Sequence, residues 1–142
     1  MLRKSYTIIA SVLFLLVLAA CSGGQTNQNS PVDVTITADD FSFQSSLTTF
    51  KVGVPYHFVV TNQGKVAHEI MLVQPIEPGK MDMEAMDKMA LAHVEEDDLT
   101  PGTTQSFDYT FTEPAPAGQL EFSCHLPGHY EAGMKLPITV EK

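Results

Sequence analysis

The sequence is poor in cysteine, in basic residues and in long apolar runs. Its 142 residues include two cysteines, no tryptophan, and eight lysines and arginines against 17 aspartates and glutamates. The net charge of −9 argues against nucleic acid and anionic lipid surfaces as partners, because both repel an acidic protein. It favours cationic proteins or metal cations. At this length we expect one domain with an N-terminal appendage.

The appendage contains an apolar run over residues 8–20, which is too short to cross a membrane comfortably. Two positive charges precede this run, and small residues lead directly into Cys21. That pattern resembles a bacterial lipobox, so we expect residues 1–20 to be a lipoprotein signal peptide and Cys21 to carry the lipid. An ordinary secretory signal cleaved nearby, or an uncleaved anchor, would also export the domain.

The rest of the chain divides into a short tether and the domain. Residues 21–30 are rich in glycine, serine, asparagine and glutamine, which predicts a flexible tether, and the domain proper spans residues 31–142. Removing residues 1–20 takes away Arg3 and Lys4 and no acidic residue, which changes the net charge from −9 to −11. We expect a lipid-anchored protein at the cell membrane or its periplasmic face.

Within the domain the dominant hydrophobic period is two. Apolar residues alternate with polar ones in several short runs, and turn signals such as Pro101-Gly102 separate the runs. This spacing is typical of an all-β sandwich. One segment breaks the pattern, because residues 81–94 are rich in helix formers. We therefore predict one short helix, inserted around residues 80–94.

Four residues with soft or imidazole side chains share the strand pattern or its connecting loop. His68, Cys124 and Met134 have the inward-facing parity of their runs, and His129 lies between the last two. A buried imidazole or thiolate is costly unless it is bonded or ligated. Two histidines, one cysteine and one weakly bound methionine are the ligands of a trigonal copper site, and this mixed set tolerates both Cu(I) and Cu(II).

The lone thiol supports the same interpretation. If Cys21 carries lipid, Cys124 has no cysteine partner in the chain, although exported proteins usually oxidise thiols in pairs. Metal ligation explains such a thiol. Zinc seldom takes a methionine ligand, and a binuclear copper centre would need a second cysteine where Gly128 stands.

These residues resemble those of the cupredoxins, the small blue copper proteins that include azurin, plastocyanin and auracyanin. The Cys-x-x-Pro-Gly-His portion beginning at Cys124 is azurin-like, and the full spacing through His129 to Met134 is similar to that of auracyanin. The resemblance implies a Greek-key sandwich and one type I copper ion. It implies that His68, Cys124 and His129 are the strong ligands, that Met134 is the long axial ligand, and that electrons pass through His129.

One departure from that family concerns the contact between the two ligand loops. Plastocyanin-like members have asparagine after the first histidine, hydrogen-bonded toward the residue after the cysteine. Here those positions are Glu69 and His125, so we hypothesise a carboxylate–imidazole pair in its place. The alternative is that both side chains face solvent independently.

The resemblance implies one-electron transfer between redox proteins at the membrane surface, and no enzymatic reaction. A second interpretation is a copper-binding or copper-delivery protein of the envelope. Its accessory Cu(I) site would use the methionines of the predicted helix (Met81, Met83, Met86 and Met89). These methionines could instead fill an irregular gap against the sheet or form an exposed docking patch. A thiol nucleophile at Cys124 is a third possibility.

Overall fold

The structure, a computed structural model, describes residues 30–76, 79–80 and 82–142. The predicted signal peptide, Cys21 and the tether before Ser30 lie outside the described residues. Nine strands and one helix follow one another in this order: β1 Val32–Asp39, β2 Ser42–Ser45, β3 Thr49–Lys51, β4 Pro55–Asn62, β5 Ile70–Val73, α1 Met83–Met89, β6 Ala92–Val94, β7 Thr104–Thr110, β8 Ala115–Ser123 and β9 Lys135–Glu141.

The strands form the two sheets of a Greek-key sandwich. The four-stranded sheet has the order β2-β1-β4-β7, and the five-stranded sheet has the order β3-β9-β8-β5-β6. Both sheets are mixed, because β1 pairs with β4 and β3 with β9 in parallel while the other pairs are antiparallel. The all-β sandwich predicted from the period of two is therefore confirmed.

Aromatic side chains from both sheets fill the space between them. Phe58 of β4 meets Phe122 of β8 with ring centroids 5.5 Å apart, and Phe50 of β3 stacks on Phe111 at 5.2 Å. These four rings are at most 2% exposed. Burying each contributes about 2–3 kcal/mol, so the core gives the sandwich a rigid frame from which loops can project.

The inserted helix is shorter than predicted. Asp82 caps its N-terminus by accepting a hydrogen bond from the Ala85 N–H at 2.9 Å, and the backbone becomes extended at Ala90. The predicted helical residues 92–94 instead form β6, which pairs with β5. The unpaired edge of β5 offers ladder hydrogen bonds, and this tertiary pairing outweighs local helix propensity.

The helical insertion explains why β5 does not alternate. All four of its residues are buried, because Ile70 and Leu72 enter the main core while Met71 and Val73 pack with Met86 of α1. Among the described residues, no helix has both the length and the apolar character needed to span a membrane.

Candidate metal centre

Sheet topology brings the predicted ligands to one end of the sandwich. His68 lies two residues before β5 begins, Cys124 directly follows β8, and Met134 directly precedes β9. Strand β8 runs antiparallel to both β5 and β9, so its end lies beside their beginnings. His129 lies in the loop that joins β8 to β9.

Three of these side chains direct their donor atoms at one another. His129 Nδ1 lies 3.3 Å from His68 Nδ1 and 3.3 Å from Cys124 Sγ. All three donor atoms lie within 4.8 Å of one another, and they form the candidate metal-binding group found among the described residues. His68 and Cys124 are fully buried, whereas His129 is half-buried at the protein surface.

The loop from Cys124 to Met134 is held by its own backbone. The Cys124 N–H donates to the Met134 carbonyl at 3.1 Å, and the Met134 N–H donates to the His129 carbonyl at 3.0 Å. Gly128 and Gly133 have φ values of 84° and 105°, a region that other residues rarely enter. The loop can therefore turn tightly and return the fully buried Met134 to the end of the sandwich that holds Cys124.

Burial favours the neutral forms of Cys124 and His68 in the metal-free protein. Desolvation raises the pKa of the Cys124 thiol to about 11, so the thiol stays protonated near pH 7 until a metal displaces its proton. Desolvation, reinforced by the nearby His129, lowers the pKa of His68. A neutral imidazole nitrogen and a buried sulfur are suitable donors for a borderline-to-soft cation, so the residues present fit copper.

Glu69 joins the two ligand loops, but its partner differs from the one hypothesised. Glu69 Oε1 accepts a hydrogen bond from the backbone N–H of His125 at 2.7 Å. The hypothesised carboxylate–imidazole pair is therefore wrong, because the carboxylate contacts the backbone of His125 and not its imidazole. The His125 imidazole is engaged elsewhere, with Nε2 3.0 Å from Ser123 Oγ and the ring stacked on Tyr130. A carboxylate acceptor on a backbone donor still fixes the segment after His68 to the segment after Cys124.

Glu69 is 3% exposed, and its surroundings disfavour the ionised form. Desolvation raises its pKa to about 7; the His125 N–H opposes the shift, while Asp87, Glu95 and Glu96 add to it. The link between the loops is therefore made by a carboxyl group that titrates near neutral pH in the metal-free protein.

The turn between β1 and β2 contributes two residues that no sequence pattern indicates. Asp40 Oδ1 lies 3.7 Å from His68 Nε2, and Phe41 meets His129 edge-on with ring centroids 5.0 Å apart. Neither residue belongs to a recognisable metal-binding motif. They are far from the histidines in sequence, so the sequence carries no local signal for either contact.

Gly64 makes room for this arrangement. A Cβ atom at residue 64 would lie 2.5 Å from Asp40 Oδ1, 3.0 Å from His68 Nε2 and 3.1 Å from the Asp40 backbone nitrogen. The first distance is a clash and the other two are crowded. Glycine at this position therefore allows the Asp40 carboxylate and the His68 ring to approach each other.

We predict that Gly64→Ala lowers the free energy of unfolding of the metal-free protein by about 1–3 kcal/mol, because overpacking a filled site forces neighbouring groups to shift. Urea denaturation would measure the loss. Asp40→Ala in the same chain removes the nearest clashing atom and should recover part of it, as a double-mutant cycle would show. Unchanged stability in Gly64→Ala would mean that the space is larger than the distances indicate.

The methionines of the inserted segment are divided between core and surface. Met86 is 6% exposed and packs on Met71, whereas Met83 and Met89 are 36% and 48% exposed. Met81 lies outside the described residues. Packing against the sheet therefore accounts for Met86, while Met83 and Met89 remain partly exposed to solvent.

A β-sandwich with two histidines and one cysteine converging at one end defines the protein as a cupredoxin. The family described as copper binding proteins of the plastocyanin/azurin family matches residues 30–141, and the chain belongs to that family. Its cofactor is copper, which the donor set of His68, Cys124 and His129 fits.

Two curated relatives are copper-resistant cuproproteins named CopI. The one from Rubrivivax gelatinosus is 31% identical over 107 residues, which are 74% of this chain and 63% of the relative. The one from Pseudomonas aeruginosa is 27% identical over 139 residues, with 76% of this chain and 75% of the relative covered. The chain thus spans somewhat under two thirds of the Rubrivivax protein's length.

Solved structures show the same fold. Reduced auracyanin from the photosynthetic bacterium Roseiflexus castenholzii matches with a TM-score of 0.60 and 22% identity, covering 80% of this chain and 98% of auracyanin. At that identity the likeness concerns the fold.

Proposed function

We propose that the protein transfers single electrons through one type I copper ion. The observation that carries the proposal is the convergence of His68 Nδ1, Cys124 Sγ and His129 Nδ1 within 4.8 Å at one end of a rigid sandwich. These three atoms would hold the copper ion, and the Met134 thioether would serve as a fourth, weaker donor. Bound copper supplies a one-electron couple between Cu(I) and Cu(II).

The chain's own residues give this site two properties useful for electron transfer. The β8–β9 loop is tied by hydrogen bonds from Cys124 to Met134 and from Met134 to His129, and Glu69 fixes it to the segment bearing His68. These hydrogen bonds are made within the chain and involve none of the donor atoms, so they would restrain the donor positions in both oxidation states. His129 is the most exposed of the three donor residues, so it is the route by which electrons enter and leave.

The proposal extends to location and partners. The lipobox-like sequence before Cys21 supports export and a lipid anchor, which would place the domain at the cell membrane or its periplasmic face. The negative charge favours donor and acceptor redox proteins with basic docking surfaces, some of them membrane-bound, and disfavours nucleic acid. An electron carrier of this kind catalyses no reaction of its own and has no catalytic residues.

A second candidate function is copper binding or delivery in the envelope. Two observations favour it: the curated relatives are named copper-resistant cuproproteins, and Met83 and Met89 of α1 are exposed. Thioethers bind Cu(I) in preference to harder cations. A delivery protein would hold Cu(I) exchangeably and at more than one site, whereas a carrier would hold one copper ion tightly.

Titration of the purified protein with Cu(II), followed by visible spectroscopy, tests the first function. We expect an intense blue thiolate-to-copper band that saturates at one equivalent, bleaches with a mild reductant and returns on oxidation. A colourless protein that binds Cu(I) exchangeably would favour copper delivery, provided that replacing Met83 and Met89 by leucine reduces the amount bound. Leucine keeps the apolar volume of both residues, so it removes the sulfur alone.

A further inference from the structure

The two ring nitrogens of His68 face different groups. Nδ1 belongs to the donor cluster, 3.3 Å from His129 Nδ1. Nε2 is buried and has no hydrogen-bond partner within the described part of the chain. A buried N–H without an acceptor is costly. The carboxylate oxygen Asp40 Oδ1 lies 3.7 Å from Nε2, about 0.5 Å beyond ordinary hydrogen-bond length.

Three features hold Asp40 in this position. The Lys65 N–H donates to Asp40 Oδ1 at 2.7 Å, which fixes the oxygen on the side of the β4–β5 loop. Gly64 provides the space for the carboxylate and the imidazole to approach. Phe41, with φ 68°, carries the chain through a left-handed turn, a conformation that bulky residues seldom adopt and that persists where surrounding contacts impose it.

The same turn contacts both histidines. Phe41 packs edge-on against His129. Asp40 faces Nε2 of His68, whereas Nδ1 of the same ring belongs to the donor cluster. The β1–β2 turn is thus a second structure, besides the β8–β9 loop, that determines how the two imidazoles are oriented.

We propose that Asp40 is a positioning residue of the copper site, whose carboxylate accepts a hydrogen bond from His68 Nε2–H while Nδ1 holds the metal. The proposal rests on the proposed function, because it takes His68 Nδ1 to be a copper ligand. A carboxylate on the outer nitrogen fixes the tautomer and makes the ligating nitrogen more basic. Its negative charge stabilises Cu(II) more than Cu(I), so Asp40 lowers the reduction potential.

The main test is Asp40→Asn, measured by spectroelectrochemistry of the copper-loaded protein. Asparagine keeps an oxygen for the Lys65 N–H and loses the charge. We expect Cu(II) affinity to fall about tenfold relative to Cu(I) affinity, which for one electron raises the reduction potential by about 59 mV. Asp40→Ser, which is shorter and neutral, should shift the potential in the same direction and serves if the asparagine variant folds poorly.

The matched control is Asp33→Asn. It removes the same charge from an exposed position of β1, the strand that precedes the Asp40 turn, at the end of β1 away from the copper site. Its potential should equal that of the wild type. Equal potentials in the wild type, Asp40→Asn and Asp40→Ser would overturn the proposal. So would an equal rise in Asp33→Asn, since it would show an effect of net charge alone.

A second measurement needs no copper. Nitrogen-15 NMR of the metal-free protein reports the His68 tautomer, and we expect Nε2–H in the wild type with a larger share of Nδ1–H in Asp40→Ser. A wild-type protein that never turns blue would contradict the proposed function, and the tautomer would still decide whether Asp40 acts on His68. A blue protein with an unchanged tautomer and potential in the variants would contradict the Asp40 proposal alone.

Discussion

Cys124→Ser is expected to abolish the blue band of the copper-loaded protein completely. The band requires electron donation from a thiolate to Cu(II), and Cys124 is the free cysteine among the described residues. A serine hydroxyl in the same place is a harder and far less acidic donor, so His68 and His129 would bind Cu(II) more weakly and without the thiolate transition. Visible absorption after one equivalent of Cu(II) measures the effect.

The chain provides a matched control in Cys21→Ser, which removes the other of its two cysteines. This variant should keep the full blue band, because Cys21 is outside the copper-binding domain predicted from the sequence. Circular dichroism of Cys124→Ser should remain that of a β-sandwich, since the Cys124 backbone bond to Met134 does not involve the side chain. A folded Cys124→Ser protein that stays blue would exclude Cys124 as the ligand.

The architecture could be predicted because its signals are local. Alternation along each run reflects burial of one face of a strand, as in β1, where Val34, Ile36 and Ala38 are buried and Thr35 and Thr37 are not. His68 and Cys124 could likewise be predicted to face inward, because each shares the alternation of the apolar residues next to it in its run. Both are fully buried in the structure.

The contacts that could not be predicted depend on how distant segments meet. The Ala92–Val94 segment has helix-forming neighbours, but its conformation is decided by the exposed edge of β5. Val66 shares the parity of His68, yet it is 41% exposed because β5 begins only at Ile70. Strand bounds depend on pairing partners, and these lie far away in sequence.

The contacts around the metal centre also depend on which distant segments pair. Asp40 reaches His68 because β1 and β4 pair in parallel, which brings the end of β1 beside the loop after β4. The sequence predicts a contact between Glu69 and His125 but does not decide which group of His125 takes part. Ser123 and Tyr130 engage the imidazole, and Glu69 contacts the backbone N–H. Residue types indicate which groups carry the chemistry, and topology decides which groups orient them.

Glu69→Gln is expected to flatten the pH dependence of stability in the metal-free protein. The pKa of Glu69 rises from 4.5 to about 7 on folding, so between these values the folded chain holds a proton that the unfolded chain has lost. The free energy of unfolding therefore falls as pH rises through this interval. The shift corresponds to about 3 kcal/mol between pH 4.5 and 7.

Glutamine at residue 69 keeps an oxygen to accept the His125 N–H and removes the ionisation. The link between the ligand loops should thus survive in Glu69→Gln, while the loss of stability toward pH 7 disappears. The lowered pKa of the buried His68 has the opposite effect on the pH profile. The unfolded chain binds a proton at this histidine before the folded chain does, so the free energy of unfolding falls as pH drops below about 6.5. Since His68 is present in both proteins, the difference between their urea-denaturation profiles isolates Glu69.

Glu113→Gln is the control, because it removes a carboxylate that is exposed. Glu113 lies between β7 and β8. Its profile should follow that of the wild type. Parallel profiles for Glu69→Gln and the wild type would mean that the buried carboxyl keeps its ordinary pKa, and that the hydrogen bond from His125 fully compensates for desolvation. A divergence that grows from pH 4.5 to pH 7 would instead show that the metal-free site carries a protonated carboxyl between its two ligand loops.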